Sequence, residues 1–452
     1  MSLGATVHRI EGVGLGWRPE LAADLFARPD VVDFVEVVAE SCFTQRAALR
    51  EARALAELWP VVPHGVKLSL GSADGIEDDR AKKLGALARE LKAPFVTEHV
   101  AFTRGGTVEI GHLTQLPRTR EAVRVVARNV DRARRFIDVP LYLENVAFSF
   151  LFPDDEMDDA DFYAAVAEAT GCPLLLDISN LHANALNEGL DPHDVLARFP
   201  VERVAMVHVA GGVLEDGFFF DTHAHAIPPL VLELLASLCA RQGPVPVLLE
   251  RDASFPPFEF LVAELEACRL ALATGVENAH VPVTSPARDE GALSSTLLER
   301  QLRCARLLTD ETPSSSDDVL GIGASSLVRA RDILARKRIE DALPLLARLA
   351  RLGDGIVALA GEALRGTKRA STGAGLLDAW RIATRALDEP QLSAAARVDL
   401  LLLRARFAGP DDAGRLVARR GPFLGTTRLP DGRRCLAIKP PGVQAQIRFL
   451  ER

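Results

Sequence analysis

The chain has 452 residues, 48% of them hydrophobic and 25% charged, with a net charge of −9. These are ordinary values for a soluble globular protein, and no apolar run approaches the roughly 20 residues that span a bilayer. Six scattered cysteines without a C-x-x-C pair argue against a disulfide framework or a zinc ribbon and fit reduced thiols. Residues 1–12 lack the apolar core of a signal peptide, so the chain reads as cytoplasmic. Among the cysteines Cys42 is the one to weigh as a nucleophile, and it reads better as a small buried residue. The charge is uneven. Residues 1–281 carry 25 Lys and Arg against 42 Asp and Glu, whereas residues 282–452 carry 28 against 20. Such a split predicts two domains with different partners.

In chain order, short apolar runs alternate with helical patterns. The runs are Gly12–Trp17, Val32–Val38, Val61–Leu70, Pro94–Phe102, Pro140–Val146, Pro173–Asn180, Arg203–Gly212 and Pro246–Asp252. None alternates strictly, which is how strands buried on both faces read. Between them lie amphipathic stretches, among them Asp79–Leu91, Arg118–Phe136, Asp161–Thr170 and Pro229–Gln242. Eight strands alternating with helices predict a (β/α)₈ barrel over residues 1–281. An open doubly wound sheet is the alternative. The glycines of Gly12–Gly16 lie within a strand and lack the spacing of a phosphate loop, which counts against it.

Residues 282–318 read as a linker holding one helix, flanked by the linker pieces Pro-Ala-Arg-Asp-Glu-Gly (286–291) and Pro-Ser-Ser-Ser-Asp-Asp (313–318). Residues 319–452 predict a smaller, mostly helical domain. Its helices are expected at Ala324–Arg336, Ile339–Arg351, Gly355–Leu364, Ala374–Ala386 and Ser393–Phe407. It ends in a β-hairpin, Phe423–Arg428 and Arg434–Lys439, around the turn residues Pro430-Asp431-Gly432. The arginines of these helices read as a solvated face rather than a nucleic-acid surface.

The informative feature is polar residues set inside apolar strands. His64 follows Val61-Val62-Pro63, and Glu98 and His99 follow Phe95-Val96-Thr97. Glu144 follows Leu141-Tyr142-Leu143, Asp177 follows Leu174-Leu175-Leu176, and His208 follows Val204–Val207. Glu250 follows Val247-Leu248-Leu249. Most sit near the C-terminal end of their strand, where barrel enzymes build sites. A lone buried carboxylate is costly unless paired or metal-bound. Acids and imidazoles converging from six strands therefore point to a cation, and the donor types suit Fe, Mn, Zn or Co. Asp221 and His223, in Asp-x-His after Phe218-Phe219-Phe220, add two candidates on one loop; Asn180 is a weaker one. Taken singly, each residue reads equally well as a core histidine or a capping carboxylate, and Glu250-Arg251-Asp252 as an ion pair. His8, His112 and His193 read as surface or structural. No G-x-S-x-G, Walker loop or H-E-x-x-H is present.

At these residues the sequence resembles the family formerly called DUF692, the multinuclear non-haem iron-dependent oxidative enzymes (MNIO). The matching stretches include Gly12–Leu21, Val32–Glu40, Pro63–Val66, Ser69–Ala73, Glu98–Phe102 and Leu143–Val146. Leu176–Asn180, His208–Gly211, Asp221–His223 and Leu249–Asp252 follow in order. The resemblance implies a TIM barrel with two or three irons (Fe2+/Fe3+) and O2 as co-substrate. It implies oxidative modification of a ribosomally made precursor peptide (RiPP biosynthesis), chiefly at cysteine, with a separate or fused domain presenting the peptide. The implied metal ligands are His64, His99, Glu144, Asp177, His208, Asp221, His223 and Glu250, with Asn180 at a third metal. Glu144, Asp177 and His208 would be central to catalysis as metal-site residues, and Asn145, Arg251 and Asp252 would support the ligands.

The chain departs from the family pattern in three places. Ser41-Cys42 follows Glu40 where an Asn-aromatic pair is expected, Asn187-Glu188-Gly189 replaces Asn-His-Gly, and Gly212 stands where a second His often closes the His208 motif. Two rival readings remain open on ligand types alone. One is a multi-metal hydrolase or isomerase of the phosphodiesterase or sugar-isomerase kind. The other is a non-enzymatic peptide-binding module.

Overall fold

The computed structural model describes residues 10–273, 295–309, 320–365, 367, 369, 374–410, 416–442 and 446–451. Two compact units emerge, residues 1–106 with 113–301, and residues 107–112 with 302–452. The linker pieces at 286–291 and 313–318, the domain boundary expected at residue 281 and His8 all lie outside the described residues. Of the expected linker, the helix is present as Ser295–Thr309.

The first unit holds a closed barrel of eight parallel strands. In chain order its strands are β1 (Val13–Gly16), β2 (Phe34–Val38), β3 (Val61–Gly65), β4 (Val96–His99), β7 (Leu141–Glu144), β8 (Leu174–Asp177), β9 (Val204–Val209) and β12 (Val247–Leu249). Each apolar run thus forms a strand, although the polar residues end several of them early. Asp177 turns the chain out of β8 by capping the next helix, so Asn180 stands in a first helical turn rather than at a strand end. The run Pro94–Phe102 breaks after His99, and β5 (Ala101–Gly105) joins β6 (Val108–Gln115) in a separate two-stranded sheet. Likewise β10 (Val213–Glu215) and β11 (Phe218–Phe220) form a hairpin after β9. The amphipathic stretches are helices, including Asp78–Leu91, Arg120–Ala133, Asp159–Thr170, Ile178–Glu188, Pro229–Gln242 and Phe258–Leu272.

Two layers fill the barrel, and side-chain alternation sets both. The lower layer is apolar: Phe34, Val62, Phe95, Leu175, Met206 and Leu248 pack together, with Tyr142 against them and stacked on Phe95 at 4.2 Å between centroids. Two residues further along each strand the side chain points to the same face. Those positions are Glu36, His64, Thr97, Glu144, Asp177, His208 and Glu250. The apolar layer closes the floor, and the polar layer sits directly above it. β1 places only Gly14 and Gly16 at the matching positions. A Cβ at Gly14 would come within 2.6 Å of the Phe34 ring, so this strand gives its space to its neighbour's side chain.

The second unit packs its helices around Leu346, Leu349, Ala360, Ala379, Ile382, Ala383 and Ala396. They are Ala324–Ala342, Asp354–Leu364, Ala374–Arg385 and Pro390–Arg406. The helix expected at Ile339–Arg351 is not formed. The first helix continues to Ala342, and the chain then runs through 3-10 turns at Leu343–Leu345 and Leu349–Leu352. Pro344 lacks the N–H and clashes with the preceding turn, which stops a helix there. The terminal hairpin, β13 (Phe423–Arg428) and β14 (Arg434–Lys439), gains an unforeseen third strand, β15 (Arg448–Glu451). No helix among the described residues is long and apolar enough to cross a membrane.

Candidate metal centre

Strand register brings the polar layer together. His99 lies opposite Glu144, and Asp177 opposite His208. Three sets of donor atoms result, each within 4.8 Å: His64, His99 and Glu144; Glu144, Asp177 and His208; Asp177, His223 and Glu250. Glu144 belongs to the first and second sets, and Asp177 to the second and third. Consecutive sets are thus linked through a shared carboxylate, an arrangement suited to adjacent cations.

Glu144 is the hub. Its Oε2 lies 3.3 Å from His99 Nε2 and 3.6 Å from His64 Nδ1, and its Oε1 lies 3.2 Å from His208 Nδ1. Burial alone would raise its pKa, but His99, His208 and His64 bring it down to about 2. His99 is pushed down to about 4 by burial, against the pull of Glu144, so its imidazole is neutral at neutral pH, as a metal ligand must be. His208 and His223 are instead held well above the usual histidine range despite burial. Glu36 and Glu144 do this at His208, and Asp221 and Glu250 at His223. His223 Nε2 sits 2.7 Å from Asp221 Oδ2, and its Nδ1 3.3 Å from Glu250 Oε2. His223 also has a left-handed backbone (φ 51°), and its carbonyl accepts the Asp252 N–H at 2.8 Å. A non-glycine residue held there is strained, and such strain gathers at functional sites.

Among the described residues, buried Asp177 Oδ2, Asn180 Oδ1 and Asp221 Oδ1 have no hydrogen-bond partner, and Glu144 Oε2, His208 Nδ1 and His223 Nε2 face opposite charges without an aligned hydrogen bond. Buried polar atoms are nearly always satisfied. Such atoms gathered at the top of the barrel, all of ligating types, fit a group of cations there. The N and O donors, with no thiolate among them, suit Fe, Mn, Zn or Co.

Each residue the resemblance implies as a metal ligand lies in or beside this layer. Asn180 lies at its edge, with its amide Nδ2 donating to the Asn145 carbonyl at 3.1 Å and its Oδ1 left open. Asn145 accepts the Asp177 N–H at 2.8 Å and donates to the Asp177 carbonyl at 2.9 Å, fixing the end of β8. Arg251 is not paired within Glu250-Arg251-Asp252; its Nη2 reaches Glu264 at 2.7 Å. Arg18 instead bridges Asp252 and Glu250. Glu98 points away, accepting the N–H groups of Leu68 and His99 at 3.0 Å each.

Sequence reasoning missed Glu36 and Thr97. Glu36 is buried, with Oε2 3.1 Å from His208 Nε2 and 4.0 Å from His64 Nδ1. Thr97 Oγ1 lies 2.8 Å from His64 Nδ1. Counting two residues on from the floor residues Phe34 and Phe95 finds both. The departures are accommodated locally. Glu188 lies 3.7 Å from Arg118, and a Cβ at Gly212 would come within 2.3 Å of the Phe220 carbonyl and 2.5 Å of the Phe219 ring. Cys42 is buried, and burial, with Glu51, Glu90 and Glu40 nearby, pushes its thiol up to about 11, the wrong direction for a nucleophile.

Residues 12–273 match the family described as RiPP precursor modification enzyme MbnB/TglH/ChrH. A UPF0276 protein of Streptomyces avermitilis is 44% identical over 268 residues, covering 58% of this chain and 55% of its own length. The chain thus spans about half of that relative. A UPF0276 protein of Caulobacter vibrioides is 37% identical over 272 residues, covering 60% of this chain and 97% of its own. Among solved structures, endonuclease IV from Thermus thermophilus is 20% identical, covering 58% of this chain and 99% of its own, with a TM-score of 0.39.

Proposed function

The chain belongs to the MbnB/TglH/ChrH family of RiPP precursor modification enzymes, and from that premise we propose that it oxidatively modifies a ribosomally made precursor peptide, at cysteine, using iron and O2. The observation that carries this reading is the run of three donor sets joined through Glu144 and Asp177, with orphaned ligand atoms between them. In this reading two or three irons are held by His64, His99, Glu144, Asp177, His208, Asp221, His223 and Glu250, with Asn180 offering its Oδ1. Bound iron would supply the redox chemistry toward O2 and a substrate thiolate.

The protein's own part is positioning. The apolar floor of Phe34, Val62, Phe95, Leu175, Met206 and Leu248 excludes water from below. Asn145 fixes the backbone that carries Asp177, and Arg18 holds Glu250 and Asp252 in place from the rim. Residues 319–452 act as a fused peptide-presenting domain, raising the effective concentration of substrate at the centre.

The test is direct. Purified protein is expected to carry two to three equivalents of iron by elemental analysis. A cognate precursor, to be sought as a short Cys-bearing reading frame beside the gene, is expected to change mass by an oxidation-type increment in air and to stay unchanged under strict anaerobiosis. A product formed equally well without O2 would favour a hydrolase and overturn this reading.

Glu36 gives a second expectation. Its contact with His208 Nε2 leaves Nδ1 to face the centre, the usual way a carboxylate orients a ligating imidazole. Glu36→Gln is expected to weaken iron binding by about 10- to 100-fold, read by titrating the metal-free protein. Unchanged affinity would reduce Glu36 to a packing residue.

A further inference from the structure

The three-stranded sheet at the C-terminal end turns one face to the protein and one to solvent. Phe423, Cys435, Ala437 and Phe449 pack inward on Val398, Leu401 and Ala405. The outward face is expected to be polar. Instead its centre is aliphatic. Leu424 is 73% exposed and Leu450 50%, and Leu436 and Ile438 lie between them. The register makes this one patch: Leu424 sits opposite Ile438, and Leu436 opposite Leu450. Contiguous exposed apolar surface of this kind marks interaction sites.

The edges of the patch are cationic. Arg448 lies opposite Ile438, and Arg428 lies opposite Arg434. Like charges facing one another across a sheet destabilise it. Asp431 and Glu451, the nearby acids, are both taken by Arg433. Among the described residues Arg428, Arg434 and Arg448 have no carboxylate partner. Uncompensated repulsion beside exposed leucines is accounted for by a ligand that brings both negative charge and apolar side chains.

We propose that this face docks an acidic, amphipathic stretch of the precursor peptide. The proposal rests on the reading that the chain modifies such a peptide, and it names the surface that recognises it. Leu424, Leu436, Ile438 and Leu450 bury the apolar side chains, while Arg428, Arg434 and Arg448 pair with Asp or Glu. A single-stranded nucleic acid would want aromatic side chains for its bases to stack on. The outward face has none, because Phe423 and Phe449 point inward.

The experiment uses the full chain, without added iron, and fluorescence anisotropy. The probes are a labelled peptide of mixed Glu and Leu, its Lys and Leu counterpart, and a single-stranded DNA of equal length. The acidic peptide is expected to bind at least about tenfold more tightly than the basic one, and less tightly as salt rises. The double variants Arg428→Glu with Arg434→Glu, and Leu424→Ser with Leu450→Ser, are each expected to weaken it by about tenfold or more. Arg428→Lys with Arg434→Lys, which keeps the charge and the fold, is expected to retain most of the binding. Acidic-peptide binding unchanged in both disruptive variants would overturn the proposal, as would DNA that binds as tightly and competes. Iron content and O2 uptake, measured on the same preparations, keep the two readings apart. A chain that binds the peptide here but never consumes O2 would sink the oxidative function and leave the docking face standing.

Discussion

Glu144→Ala is expected to strip the protein of most of its iron. Glu144 is shared by two of the three donor sets, so its loss weakens two positions at once. Changes to residues that only support ligands cost about 10- to 100-fold in metal affinity, and removal of a shared ligand is expected to exceed about 100-fold. The metal-free protein should suffer as well. Glu144 is the carboxylate common to His64, His99 and His208, and breaking a buried pair costs about 3–5 kcal/mol. Elemental analysis and thermal unfolding check the two halves separately. Glu98→Gln is the control. Glu98 is as buried as Glu144 and only one residue from His99, but its oxygens accept backbone N–H groups. It is expected to lower stability while iron is retained. Full iron in Glu144→Ala, or equal loss in both variants, would remove the ligand assignment.

The contrast between Glu98 and Glu144 also shows how far the site was legible in the sequence. Both interrupt apolar runs, and composition does not separate them. Parity within the strand does. Residues an even number of steps from the floor side chain share its face, which selects Thr97 and His99 after Phe95 and rejects Glu98. The same count finds Glu36 two residues after Phe34, although Glu36 escaped notice inside Val-Glu-Val-Val. The barrel itself was readable because each of its strands is a short apolar run separated from the next by an amphipathic helix. The hairpins β5–β6 and β10–β11 were not: β5 and β10 directly prolong the apolar runs before them, and β6 carries Glu109, His112, Thr114 and Gln115 rather than an apolar run. In the second unit the apolar spacing of Ile339–Arg351 looked helical, and Pro344 overrode it. The strand Arg448–Glu451 has too few residues to show a period, and it is defined only by its pairing with β14.

Asp177→Asn is expected to have opposite effects in the metal-free and iron-loaded protein. The two oxygens of Asp177 do different things. Oδ1 accepts the Asn180 N–H at 2.8 Å and caps the helix Ile178–Glu188, while Oδ2 is buried without a partner. Burial and then the neighbouring Asp221 push this carboxyl well above the usual range, so its charge is poorly compensated when no cation is bound. Asparagine keeps the shape and the capping oxygen and removes the charge. Neutralising an uncompensated buried charge is expected to stabilise the metal-free protein by about 1 kcal/mol or more. That corresponds to about 2–4 °C in melting temperature for each kcal/mol. Loaded with iron, the same variant lacks the carboxylate shared by the second and third donor sets and forfeits the stabilisation that bound metal confers on the native state. The order of melting temperatures, variant above wild type after chelation, is therefore expected to invert on adding ferrous iron. Asp177→Ala, which also loses the cap at a cost of about 1 kcal/mol, should lie below Asp177→Asn in both conditions. Equal destabilisation by Asp177→Asn with and without iron would mean that Asp177 serves the helix alone.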